Sequence, residues 1–167
     1  FSASKPVVAT LRLYRPKEPA LALGLAVSHL MTKPAFAGLP FGDWSRILVG
    51  QINRGHYCFV IDGRGQIQGF LGWAFASEAH AEGWVAGKRG LPFEDSLQGE
   101  CMLINAWSAH TNDVTRFLVQ AIRRIGKDKK AVYFKRHYRD GTARPARVRV
   151  NAFVDAHIAR ERLKPAA

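Results

Sequence analysis

The sequence predicts an α+β domain, a mainly antiparallel sheet with helices packed against it, and three observations lead there. Two stretches near the N-terminus and a third over residues 114–125 repeat apolar residues with a helical period. Between and after them lie short apolar runs of strand length bounded by glycine- and proline-containing turns. The resulting order is helix, helix, hairpin, strand, helix, hairpin.

Residues 1–18 read as an extended lead-in, with a short strand over 9–14 and a break at Pro16. Residues 20–31, rich in Ala and Leu, predict a helix that Pro34 ends. The loop that follows carries Phe36, Pro40 and Gly42. A second helix is expected from about Asp43 to Gly55, burying Trp44, Ile47, Leu48 and Ile52. The period then changes: residues 56–62 and 66–77 read as strands joined by the Gly63-Arg64-Gly65 turn. Residues 78–99 are polar, with Trp84 and Pro92, and suit a short helix plus a loop.

The stretch 101–127 is the most informative. Met102, Leu103, Ile104 and Trp107 form a short apolar strand interrupted by one polar residue, Asn105. Val114, Phe117, Leu118, Ala121, Ile122 and Ile125 then follow i, i+3, i+4, i+7, i+8, i+11, a continuous helical stripe. Thr111 or Asn112 can cap its N-terminus, and Asp113 complements the positive end of its dipole. Arg123, Arg124 and Lys127 stand at the opposite end, where Gly126 suits the stop. Residues 130–138 and 146–153 read as a last strand pair around a turn at 140–145, followed by a charged tail. The expected organisation is one domain over 1–167: lead-in 1–18, core 19–153, tail 154–167.

With 47% hydrophobic and 23% charged residues the chain belongs with folded proteins, not disordered ones. Its longest apolar stretch, residues 20–27, falls well short of a membrane span, and no signal-peptide pattern opens the sequence. Cys58 and Cys101 sit in apolar strand-like settings and read as reduced core residues, which together predicts a cytoplasmic location. The charge is polarised. Residues 116–167 hold 15 Lys/Arg against 4 Asp/Glu, a net of +11 out of the total of +12. Such a field draws an acidic partner, or else serves only as a solvated face.

Common catalytic signatures are missing: there is no phosphate-cradling GxxxxGK[ST], no GxGxxG after a strand, no CxxC and no GxSxG. None of the six histidines lies at metal-ligand spacing from another, so no metal site is expected.

Four strings carry a resemblance. They are LMTKPAF with Leu39-Pro40 after the first helix, HYCFVID as the next strand, GWAFAS closing the one after it, and MLINAW before the long helix. In this layout the chain resembles the RTX toxin-activating lysine acyltransferases, over most of residues 20–140. The resemblance implies a fold related to the GNAT acetyltransferases and transfer of a fatty acyl group from acyl carrier protein to an internal lysine. Acyl-ACP would be the donor substrate, with no tightly bound cofactor. The implied partners are acyl carrier protein, an RTX-type protein substrate and a second copy of the chain.

The family's chemistry uses a His in a Ser-Pro-x-His loop and an Asp on the central strand. Here the loop reads Lys33-Pro34-Ala35-Phe36 and the strand position is Asn105. Phe36 can neither take a proton nor attack a thioester, and Asn105 carries no charge, so that mechanism does not carry over. Replacement candidates are His29, near the end of the first helix, and His110, where the dipole of the long helix favours a neutral imidazole. A route without any His leaves Ser108, Thr111 and Asn112 to bind the donor at the turn while the amine attacks directly. Arg123, Arg124 and Lys127, with Lys129, Lys130, Lys135 and Arg136, form the expected docking group for an acidic carrier. Three readings follow: an acyltransferase, a non-catalytic acyl-carrier-protein or lipid-binding relative, and a less favoured nucleic-acid-binding domain stacking bases on Tyr133, Phe134 and Tyr138.

Overall fold

The computed structural model describes residues 10–137 and 143–150. Six strands form one sheet in sequence order: β1 (Arg12–Tyr14), β2 (Tyr57–Ile61), β3 (Ile67–Ala76), β4 (Cys101–Ala109), β5 (Ala131–His137) and β6 (Ala143–Arg149). All neighbours pair antiparallel except β4 and β5, which are parallel because helix α5 (Asn112–Ile125) carries the chain back between them. The expected α+β class is the observed one.

Alternation along the strands divides the core into two faces. Tyr57, Phe59, Phe70 and Ala106 meet helices α1 (Pro19–Leu30) and α3 (Phe41–Arg54) through Ala22, Ala26, Leu30, Trp44 and Leu48. Cys58, Val60, Leu71, Trp73, Met102 and Ile104 meet α5 through Val114 and Leu118. Helix α4 (Glu78–Val85) covers the start of β4 and β5, packing Ala81, Trp84 and Val85 on Leu103 and Tyr133. Its Glu82 accepts from Tyr133 Oη at 2.9 Å and from two nitrogens of Arg147, which ties α4 to β5 and β6.

Helix ends follow their local chemistry. Thr111 caps α5, its hydroxyl accepting from the Val114 amide at 3.3 Å, so Asn112 is the first helical residue and not the cap. Gly55 ends α3 in the left-handed region, φ 71°, as glycine permits.

Several expectations need correction. Ile47 was expected on the buried face of the second helix but is exposed, because the buried stripe runs through Trp44, Leu48 and Gln51. The loop after α1 contains a single-turn helix, α2 (Pro34–Ala37), started by its proline. The last strand begins at Ala143, earlier than the expected 146, and includes Pro145, which an edge strand tolerates. Both cysteines are buried and reduced as expected, and burial pushes the Cys58 thiol up to about 11. Tyr138 and the charged tail lie outside the described residues.

Candidate functional site

The sheet opens at one point. β4 and β5 pair from Cys101 with Ala131 to Ile104 with Phe134, and no further. Both strands continue, β4 to Ala109 and β5 to His137, so they part after Ile104. On its other side β4 pairs Ala106 with Gly72 and Ile104 with Trp73, which leaves Asn105 as the extra residue of a bulge. The polar residue inside the apolar strand therefore stands where two parallel strands separate, and where α5 begins a few residues on.

Asn105 is held from beneath. Gln51 of α3, wholly buried, donates through Nε2 to Asn105 Oδ1. The Gln51 amide lies directly over Gly72: a Cβ there would come within 1.5 Å of Gln51 Oε1. That Oε1 is buried and has no hydrogen-bond partner. Gly72 thus gives room for a glutamine to reach the bulge, and Gln51 fixes which way the Asn105 amide turns.

A second polar cluster lines the continuation of β4 on the same face. His29, at the end of α1 and buried, shares a 2.9 Å hydrogen bond between Nε2 and Ser108 Oγ. The His110 ring meets the His29 ring edge-on at 4.9 Å, and Lys33 donates to His110 Nδ1. That bond leaves the His110 proton on Nε2. Burial, helped by His110 and Lys33, lowers the His29 pKa from 6.5 to about 4, and burial with Lys33 lowers that of His110. Near neutral pH, His29 is an uncharged polar group.

The predicted residues fall into separate places. Asn105, His29, Ser108 and His110 come together along one face of β4, with Thr111 and Asn112 at the α5 N-terminus just beyond. Arg123, Arg124 and Lys127 lie at the far end of α5, whose 14 residues span about 21 Å. Phe36 is half-buried and packs against the core, with its ring 6.2 Å from that of Trp44. Of the wider docking group, Lys130 pairs with Glu78, Lys129 donates to the Gly99 carbonyl at 2.7 Å and Lys135 lies over the Trp84 ring. Tyr133 is buried, which removes it as a base-stacking surface.

Sequence reasoning missed Gln51 and Lys33. Gln51 had a signal: a polar residue at i+7 from Trp44 on an otherwise apolar stripe. Lys33 had none, since nothing local says that it meets a residue 77 positions away. Two surface clefts, of about 140 Å³ and 270 Å³, lie elsewhere and are lined by none of these residues. Among the described residues no group of His, Cys, Asp or Glu is arranged to hold a metal. No helix among them is long and apolar enough to cross a membrane.

No protein-family model matches the chain, and no curated protein does. Solved structures do. One is a Corynebacterium glutamicum protein described as histone acetyltransferase HPA2 and related acetyltransferase, 13% identical, with 90% of this chain and 83% of that one covered at a TM-score of 0.45. Another is a GNAT-family acetyltransferase from Listeria monocytogenes, 8% identical, with 91% and 84% covered at a TM-score of 0.48. Such identities assign no side chain of the site, so its chemistry is read from this chain's own residues.

Proposed function

We propose that the chain is a GNAT-type acyltransferase that seats a thioester donor in the opening between β4 and β5 and passes the acyl group to an amine. The single observation behind this reading is the parting of the two parallel strands at the Asn105 bulge, directly before the capped N-terminus of α5. A gap between diverging strands exposes main-chain groups that a pantetheine arm can bond, and a helix N-terminus favours its phosphate. Within this class, the donor is acyl carrier protein carrying a fatty acyl chain and the acceptor is a protein lysine. The resemblance to the toxin-activating acyltransferases motivates that finer assignment, and the basic C-terminal third suits an acidic carrier.

The chemistry proceeds by direct attack. The lysine must arrive as a free amine, and the Lys33 ammonium disfavours a second positive charge beside it. The amine nitrogen bonds to the thioester carbon, the C–S bond breaks and the departing thiolate takes one proton. The other stays on the amide nitrogen, and the transfer to sulfur runs through solvent, since an imidazole with a pKa of about 4 is too weak a base to relay it. His29, Ser108 and His110 therefore orient polar groups around the acceptor.

The test offers acyl-ACP and acyl-CoA of several chain lengths with lysine-containing peptides, following free thiol and peptide mass. Thiol release matched by acyl-lysine is the expected outcome. Retention of acyl-ACP without thiol release would instead favour the non-catalytic relative, for which the replacement of the family His by a core-packed Phe36 speaks. Neither retention nor release with any donor would overturn both.

A further inference from the structure

We propose that Asn105 is a catalytic residue that donates a hydrogen bond from Nδ2 to the carbonyl oxygen of the donor thioester, with Gln51 as its positioning residue. This rests on the acyl-transfer reading of the same opening. An amide side chain has one accepting and one donating end, and what the neighbour takes decides what the solvent side offers. Gln51 donates to Oδ1, so the accepting end of Asn105 is turned to the core. The donating end has no hydrogen-bond partner among the described residues, and Nδ2 is not among their sealed, unpartnered side-chain atoms. Asn105 is half-buried at the point where β4 leaves β5. Its N–H groups are thus open to solvent beside the point where the strands part.

The support beneath is specific. Gln51 is wholly buried, keeps an unpartnered Oε1 and requires a glycine at 72 to fit. Apolar side chains would fill that space with no orphaned oxygen, so packing alone does not explain a glutamine there. A carboxylate at 105 could accept from Gln51 equally well. It could not donate, and its charge would repel the oxyanion that forms as the amine attacks. The two departures from the family pattern then belong together. With Phe36 in place of the histidine, an acid at 105 has no imidazole to orient, whereas an amide still has a carbonyl to bind.

Asn105→Asp, Asn105→Ala and Gln51→Met decide it, with acyl-CoA as donor and a lysine peptide as acceptor. Loss of one oxyanion donor predicts a fall in kcat of about 10²- to 10³-fold for both Asn105 variants, with KM for the donor changed by no more than a few-fold. Gln51→Met is expected to lower kcat while its unfolding midpoint stays at or above that of the parent, a split that a merely structural role would not produce. An Asn105→Asp variant as active as the parent or more so would overturn the proposal, and full activity of Gln51→Met would overturn the role of Gln51.

Binding is read separately, with a ketone analogue in which CH2 replaces the thioester sulfur. The Asn105 side-chain amide resonance is expected to shift in the parent when the analogue binds. Binding without that shift would refute the contact, and no binding would refute both the contact and the donor site. If the parent releases no thiol yet the resonance shifts, the transfer reading falls and the Asn105 contact stands.

Discussion

His29 illustrates how a single residue couples the site to stability. Its folded pKa of about 4 lies below the unfolded 6.5, chiefly because burial penalises the imidazolium. A depressed histidine leaves stability untouched above pH 6.5. As pH falls from 6.5 to about 4, the unfolded chain takes up a proton that the folded one refuses, and stability drops until the folded pKa is passed. At about 1.4 kcal/mol per pKa unit, the upper limit is on the order of 3 kcal/mol. His29→Gln, which can still bond Ser108, is expected to lose that part of the acid slope in urea unfolding between pH 7 and 4. His56 and His110 shift in the same direction and would leave a residual slope. An unchanged slope in the variant would show that His29 is not the group responsible.

At the scale of elements, the junction of α3, β3 and β4 is where the fold makes the site. Gly72→Ala puts a methyl group where Gln51 Oε1 now stands, so the glutamine must withdraw and Asn105 loses its partner. The expected cost is about 1–3 kcal/mol in chemical denaturation, as for other overpacked cores. Gly72→Ala combined with Gln51→Ala should recover part of it, because the two changes share one space. Strict additivity would count against the contact. Helix α5 was legible in the sequence, since its stripe, Thr111 cap and Gly126 stop are all local signals. The bulge was not, because an extra residue in β4 exists only relative to the register of β3. For the same reason Ile47 was misassigned: a helical stripe gives the period, while the sheet beneath chooses which edge of the stripe is covered.

For the whole molecule, topology reassigns the basic surface. The opening lies at the C-terminal ends of β4 and β5, which run parallel, whereas Arg124 and Lys127 sit at the far end of α5. An acidic carrier delivering its arm to the opening would meet Arg136 near the end of β5, where its guanidinium lies 5.7 Å from the Phe134 ring and is exposed. Arg136→Glu is therefore expected to raise KM for acyl-ACP several-fold at low ionic strength. Salt should narrow that difference, and an uncharged acyl-pantetheine donor should show little of it. Arg124→Glu with Lys127→Glu should matter less. Steady-state kinetics in which the α5 pair dominates would restore the docking surface expected from charge density alone.

The sequence by itself determined the α+β class, the order of elements, the cap and stop of α5 and the identity of the polar residue in β4. These rest on periodicity and on chemistry within a few residues, which a linear chain displays. Only the tertiary structure decided which polar groups meet. Gln51 reaches Asn105 across 54 positions, and His29 reaches Ser108 across 79. Those contacts depend on strand register, on a bulge and on the missing Cβ of Gly72, none of which any local stretch encodes.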